Sequence, residues 1–257
     1  MKKVILCADD YGQNKAISQA IIDLLALGRL SAVSCLVTAS GWLEDAPLLH
    51  AFKDKADIGL HFNLTEGERF GSLSNLLIKS CLRLLKKEAI IKECHAQIDQ
   101  FVMGMGCLPD FIDGHQHVHQ LPVVREALLA VYEARLRQKK SYIRSVDRPA
   151  VWKRFNEKSF WKQVVLQLSG APTFKKLLIK NAIPHNASFS GMYDFDDDLP
   201  YPTLFERFLS EVKGGGLIMC HPGKPSSDVR DPIREARVVE YEFLMARNKQ
   251  EGWSDAE

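Results

Sequence analysis

The sequence predicts an α/β fold, a single irregular (β/α) barrel of TIM-like type with about seven parallel strands. Three observations lead to this fold class. Short apolar runs alternate with amphipathic segments along the chain. Each apolar run has few polar residues within it, as expected for a strand that is covered on both faces of the sheet. A length of 257 residues suits one such barrel. No linker divides the chain, so we expect one domain over residues 1–257.

The elements follow from periodicity and from the residues that start and stop them. Asn14 is a plausible N-cap for a helix whose apolar stripe runs to Leu25, and Gly28 a plausible stop. Thr203 and Glu206 match a capping box that would open another helix. Strands are predicted at 4–8, 32–38, 58–64, 111–119, 142–146, 187–193 and 217–220, and further helices at 42–52, 86–103, 121–137 and 234–247. A loop is expected over 67–79, and 150–183 has no clear pattern.

Bulk composition excludes several classes of protein. The formal net charge of +2 gives no strong field, so neither a nucleic-acid nor a membrane partner is expected. Six cysteines without a C-x-x-C pair favour reduced core thiols and a cytoplasmic location. The first apolar run is too short for a secretory signal, and no stretch approaches the length of a membrane helix. A homodimer is left open.

Ionisable side chains collect where four of the predicted strands end. In parallel α/β folds such positions meet at one edge of the sheet, where functional residues lie. If 111–119 stays extended, alternation places four titratable side chains of that segment on one face. The residues at the four strand ends are Asp9 and Asp10; His61 and Asn63; Asp113, His115, His117 and His119; and His221.

These groups suit a catalytic metal site. Asp10, His61 and His115 would give three ligands and open positions, as in catalytic rather than structural sites. Of the two adjacent carboxylates, one would bind the metal and the other would act as base. The last strand of a closed barrel neighbours the first, which would bring His221 near Asp9 as a proton donor.

Less specific interpretations stay open beside this one. The two aspartates could be a solvent-facing anion pair at a helix N-terminus, His61 a core histidine, and 111–119 an exposed edge strand. Two histidines and a carboxylate also hold ferrous iron in oxygenases, although these usually have antiparallel jelly rolls. A different barrel metallohydrolase and a catalytically silent sugar- or metal-binding protein are the remaining alternatives.

The motifs resemble those of the YdjC-like family, whose best-defined member is a chitooligosaccharide deacetylase and which has a branch associated with hopanoid biosynthesis. The matching pieces occur in family order over nearly the whole chain: Ala8-Asp9-Asp10-Tyr11-Gly12, Gly59 to Thr65, Asp113 to His119, Phe189-Ser190-Gly191, and Cys220-His221-Pro222-Gly223. Two positions depart from the usual pattern, since Tyr11 stands where Phe is more common and Gln116 replaces a frequent histidine.

The resemblance implies a metal-dependent deacetylase that acts on a small N-acetylated carbohydrate. It implies Asp10, His61 and His115 as ligands of a divalent ion, magnesium or zinc, with manganese and cobalt as alternatives. Asp9 would be the base and His221 the acid, and a backbone N–H near Tyr11 would help to stabilise the oxyanion. Apart from the resemblance, Arg144 stands near the end of a predicted strand, where an arginine is hard to bury without a partner, and it would position Asp9 or a substrate oxygen. Candidate substrate contacts are Tyr11, Asn63, His117, His119, Arg144 and Ser190, with Trp42, Phe62, Gln120 and Tyr193 as secondary candidates.

Overall fold

One curled, parallel sheet organises the chain. A computed structural model describes residues 2–67, 69–147, 164–165, 167–195, 199–247 and 253–254. Seven strands follow in the order β5-β4-β3-β2-β1-β7-β6, and β8 pairs with the start of β1. The prediction of about seven parallel strands is therefore confirmed. The strands are β1 Lys2–Tyr11, β2 Ala32–Cys35, β3 Asp57–Phe62, β4 Phe111–Gly114, β5 Tyr142–Ile143, β6 Phe189–Ser190, β7 Gly216–Cys220 and β8 Trp253–Ser254.

The two edges of the sheet are joined by the segment 184–190. At its start this segment contacts β5, because the Ile143 N–H donates to the Pro184 carbonyl at 2.9 Å and Ile143 forms a parallel bridge with His185. At its end Phe189 pairs with Leu217 of β7. The sheet therefore curls into an irregular barrel, and the carboxyl ends of its strands converge on one mouth.

Helices cover the outside of the sheet. Isoleucine, leucine, valine and phenylalanine side chains from both layers form the core between them. The helices are α1 Lys15–Ala26, α2 Trp42–Asp45, α3 Leu73–Cys81, α4 Lys87–Met105, α5 Val124–Val131, α6 Ala171–Lys180, α7 Tyr201–Glu211 and α8 Arg234–Ala246, with 3-10 turns at Ala46–Phe52 and His115–Gln120 and a π turn at Tyr132–Leu136. In the part of the chain that is described, no helix has both the length and the apolarity needed to cross a membrane.

The first helix confirms the rules used to predict it. The Asn14 side chain accepts a hydrogen bond from the Ile17 N–H at 3.0 Å, which satisfies one of the free donors at the helix start. The stripe from Ile17 to Leu25 is buried, and Gly28 adopts a φ of 64° just beyond the end. The six cysteines are free, with Cys7, Cys35, Cys94 and Cys220 buried.

The loop expected over 67–79 is wrong, because α3 begins within it. The Ser72 hydroxyl accepts from the Asn75 N–H at 3.4 Å and caps the helix. Leu76 and Ser80 of this helix are buried, while Leu73 and Ile78 are exposed. The helix is only nine residues long and directly follows Gly71 and Ser72, residue types that are typical of turns.

The capping box predicted at Thr203 is also wrong. Helix α7 begins two residues earlier, at Tyr201, and no side chain caps its N-terminus. Pro200 precedes the helix and Pro202 lies in its first turn. Proline has no N–H, and in the first turn this costs nothing because the N–H groups there have no partner within the helix. Thr203 therefore lies inside the helix.

Candidate metal and active site

The end of β1 turns two adjacent carboxylates toward the same space. Successive residues of a regular strand point to opposite faces. Here the pairing with β2 is irregular between Ala8 and Tyr11, and Asp10 has a φ of 69°, a left-handed conformation that aspartate tolerates better than most residues. Asp9 and Asp10 are both buried, and both line one cavity of about 650 Å³.

Asp10 meets two histidines from neighbouring strands at the floor of this cavity. Nε2 of His61 lies 3.3 Å from Oδ1 of Asp10, and Nδ1 of His115 lies 3.1 Å from the same oxygen. One ligand atom from each residue can be chosen so that all three lie within 4.8 Å of one another. The structure thus brings together the three side chains predicted as metal ligands, at the ends of β1, β3 and β4.

Asp113 and Ser34 orient His61 from behind. Nδ1 of His61 lies 2.7 Å from Asp113 and 2.9 Å from the Ser34 hydroxyl, which itself donates to Asp113 at 2.6 Å. A histidine that ligates a metal usually has its other ring nitrogen held by a carboxylate in this way. Nε2 is therefore the nitrogen that His61 presents to Asp10 and the cavity.

The segment after β4 is not extended as predicted. The strand stops at Gly114, and Gln116 and His117 take φ values of 51° and 59° in a tight turn. The four side chains expected on one face consequently separate. Asp113 lies behind His61, whereas His115 lies beside Asp10. His117 lines the cavity, and Nε2 of His119 lies 2.9 Å from the Arg144 carbonyl.

Arg144 binds Asp9 with both of its terminal nitrogens. Nη1 donates to Oδ2 of Asp9 at 2.7 Å and Nη2 to Oδ1 at 2.6 Å, while Nη2 also lies 2.6 Å from Asp113. The guanidinium is fully buried. Burial would lower the pKa of Arg144, but the two carboxylates outweigh it and hold that pKa well above its usual value. The expected contact between Arg144 and Asp9 is present, and it fixes the carboxylate by two bonds.

Arg237, which was not predicted from the sequence, holds the other oxygen of Asp10. Its Nη2 donates to Oδ2 of Asp10 at 2.8 Å and to Gln13 at 3.1 Å, and its Nε donates to Asp231 at 2.7 Å. The signal was available in α8, whose buried stripe includes Arg237 and Glu240 three residues apart, where apolar residues would be expected. Charged residues on the core-facing side of a helix require buried partners.

His221 lies where the predicted barrel would place it. It follows β7, which pairs with β1, and its side chain lines the cavity that contains Asp9. Its backbone N–H donates to the buried carboxylate of Glu240 at 2.6 Å, and its ring packs edge-on against Phe195. Glu240 also accepts from the Tyr193 hydroxyl at 2.7 Å, so one side chain of α8 anchors two parts of the cavity wall.

The residues predicted as substrate contacts divide into two groups. His117, Gln120 and Tyr193 line the cavity. The side chains of Tyr11, Asn63 and Ser190 bind elsewhere, to the Asp45 carbonyl, the 65–66 backbone and Glu211. Trp42 and Phe62 are in the core, and His119 and Arg144 support the site from beneath. Substrate contact stays a prediction for both groups, and the bonds described favour supporting roles for the second.

The charges of the site fit a divalent cation. Four buried aspartates, at 9, 10, 113 and 231, face two buried arginines, at 144 and 237, so these carboxylates outnumber the guanidinium groups by two. Glu66, 3.4 Å from Nε2 of His115, brings a further carboxylate to the site. Burial, the largest effect, would lower the histidine pKa values, but the surrounding carboxylates raise that of His61 to about 10 and that of His115 to about 9. Positive charge is therefore favoured at the position between the two imidazoles and Asp10.

Together, these features define a parallel α/β barrel with a buried two-histidine, one-carboxylate site at the carboxyl ends of its strands. The model of the family described as YdjC-like protein matches residues 3–253. The chain therefore belongs to the YdjC-like family.

Similar proteins agree with this assignment. A carbohydrate deacetylase of Danio rerio is 34% identical over 148 residues, which cover 50% of this chain and 46% of that protein. A chitooligosaccharide deacetylase of Proteus mirabilis is 31% identical over 137 residues, covering 48% and 54%. The matched part thus spans about half the length of these curated relatives.

A solved structure shares the fold along the full chain. It comes from Enterococcus faecalis V583 and is described as a candidate cellobiose-phosphate cleavage protein. It superimposes with a TM-score of 0.70 at 20% identity and covers 98% of this chain and 93% of its own. The likeness supports the irregular barrel.

Proposed function

We propose that this protein is a metal-dependent hydrolase that removes the acetyl group from a small N-acetylated sugar and releases acetate. The observation that carries the proposal is the Asp10, His61 and His115 cluster at the floor of a cavity that Asp9 and His221 also line. Relatives that align with about half of this chain are named as carbohydrate deacetylases. The cavity of about 650 Å³ is large enough for a mono- or disaccharide.

Asp10, His61 and His115 would hold the ion. A divalent ion bound there would polarise the amide carbonyl and lower the pKa of water. Two imidazoles and one carboxylate suit zinc well, whereas magnesium prefers oxygen ligands, so we favour zinc over magnesium, manganese and cobalt. Asp113 accepts a hydrogen bond from the His61 ring and Arg237 donates one to Asp10, so two of the three ligands are fixed before an ion arrives.

Asp9 and His221 would handle the protons. Asp9 would take a proton from the attacking water, and the two bonds from Arg144 keep its carboxylate in one orientation. His221 would give a proton to the departing amine. The bond from its N–H to Glu240 fixes the backbone, while the ring lines the cavity.

The proposal is tested by acetate release. Metal-stripped protein would be incubated with N-acetylglucosamine, diacetylchitobiose and longer chitooligosaccharides, and zinc, magnesium, manganese or cobalt would be added back one at a time. We expect acetate only after an ion is restored. Tight metal binding without acetate from any of these sugars would contradict the deacetylase and favour a protein that binds without turnover.

A further inference from the structure

Helix α3 and the turn after it carry apolar side chains that the fold leaves in solvent. The exposed fractions are 59% for Ile78, 64% for Leu82 and 67% for Leu84. Single exposed leucines are common on proteins, whereas three large apolar side chains exposed within one short stretch of chain are a feature of surfaces that bind a partner or a membrane.

This exposed face adjoins the mouth of the cavity. Leu73 and Leu77, one helical turn apart, line the cavity wall. Ile78 directly follows Leu77 in the helix, so its side chain is rotated by about 100° from that wall, and Leu82 caps the end of the helix. The exposed apolar side chains of Ile78 and Leu82 therefore lie on and just after the same helix that forms part of the cavity wall.

The same stretch of chain is rich in positive charge. Residues 69–87 contain five basic residues and no acidic one, although the whole chain is nearly balanced with 34 basic and 32 acidic residues. Arg69 and Arg83 form ion pairs with Glu93 and Glu126, so the other positive charges of the stretch are Lys79, Lys86 and Lys87. Lys79 lies next to Ile78 on the exposed surface of the helix.

We propose that α3 and the following turn, residues 73–87, form a docking surface for an anionic lipid bilayer. Leucine and isoleucine side chains flanked by lysines are what a helix needs to lie in the interface of such a membrane, with apolar groups among the acyl chains and ammonium groups at the phosphates. The predicted absence of a membrane partner rested on net charge, which conceals this local concentration. The cavity mouth lies at the edge of the docking surface.

Vesicle binding tests the surface directly. The full-length protein would be sedimented with vesicles of phosphatidylcholine alone and of phosphatidylcholine mixed with phosphatidylglycerol. We expect clear binding to the anionic vesicles and at least about tenfold weaker binding to the neutral ones. Lys79→Glu with Lys86→Glu, and separately Ile78→Ser with Leu82→Ser, should each weaken anionic binding by at least about tenfold.

Matched controls lie elsewhere on the molecule. Leu27 is 50% exposed at the end of α1, which runs back from the carboxyl end of β1, so Leu27→Ser changes an exposed leucine at the opposite end of the barrel. Lys213→Glu reverses an exposed charge next to β7. Both controls should bind anionic vesicles like the unmodified protein.

Two outcomes would overturn the proposal: no binding of the unmodified protein to anionic vesicles, or equal binding by the α3 variants and the controls. If the protein does not bind vesicles but forms a dimer, and the Ile78→Ser, Leu82→Ser variant no longer forms that dimer, the surface binds a second copy of the chain instead. Acetate release from soluble sugars should be the same in the α3 variants, so the docking surface and the deacetylase can fail independently.

Discussion

At the scale of single residues, the two adjacent aspartates have different partners and should have separable roles. One carboxylate oxygen of Asp10 lies close to a ring nitrogen of each histidine, whereas both carboxylate oxygens of Asp9 accept hydrogen bonds from Arg144. We predict that Asp9→Asn retains the metal and loses turnover by about 100-fold or more, because it removes a general base. His115→Ala should lose both. Calorimetric titration with zinc, beside acetate release, measures the two effects.

Asp10→Asn is the matched control for this comparison. Asparagine also tolerates the left-handed backbone at this position, so the change removes charge from the ligand without straining the bulge. It should weaken zinc binding far more than Asp9→Asn does. Equal loss of zinc in the two variants would show that the aspartates do not divide the work.

The candidate metal ligands could be found from the sequence because they follow buried strands, while the residues that support them could not. Asp10, His61 and His115 each come at the end of an apolar run, and parallel strands bring such ends together. Arg237 comes from α8, some 227 positions from Asp10, and its contact depends on how that helix packs on the barrel. Strand periodicity carries no information on that packing.

At the scale of elements, the strands and the long helices could be predicted, and the short or irregular pieces could not. α1 follows from a cap and a stripe, both of which depend on nearest neighbours in sequence. The turn after β4 depends instead on a tertiary contact, since His119 has to reach the Arg144 carbonyl. Alternation alone could therefore suggest an extended strand where the chain turns.

Gly114 makes that turn sterically feasible. A Cβ at this position would lie 2.8 Å from the backbone nitrogen of His119 and from its Nδ1, closer than real contacts. We predict that Gly114→Ala lowers the free energy of unfolding by about 1–3 kcal/mol, because the turn must shift, and also weakens zinc binding. Asp113 and His115, on either side of Gly114, belong to the site. Urea denaturation and zinc titration measure both changes.

Gly214→Ala provides the control, since a Cβ there meets no atom within 4 Å. This change should leave zinc affinity and the urea midpoint nearly unaltered. If Gly114→Ala has the same urea midpoint and zinc affinity as this control, the turn accommodates the extra methyl group, and its geometry does not set the position of His115.

At the scale of the whole molecule, protonation of the two histidines should link stability, pH and the proposed metal binding. In the metal-free protein the pKa values of His61 and His115 are raised from 6.5 to about 10 and about 9. The folded state then binds more protons than the unfolded one above pH 6.5. The stabilisation from these groups is complete below that pH and is lost as the pH rises through about 9 and then about 10.

We therefore predict that metal-free protein loses stability steadily as the pH rises from 6.5 to about 9, and that zinc-loaded protein does so much less. A bound ion replaces the protons, because imidazole ligates metals in its neutral form, so zinc binding should release about two protons in this range. Urea midpoints at several pH values, with and without zinc, measure the first effect, and a pH indicator the second. His115→Ala should reduce the slope in the metal-free protein. If that protein were equally stable across this range, with no proton release on zinc addition, the two imidazoles would already be neutral, and the negative charge of the site would be balanced by other groups.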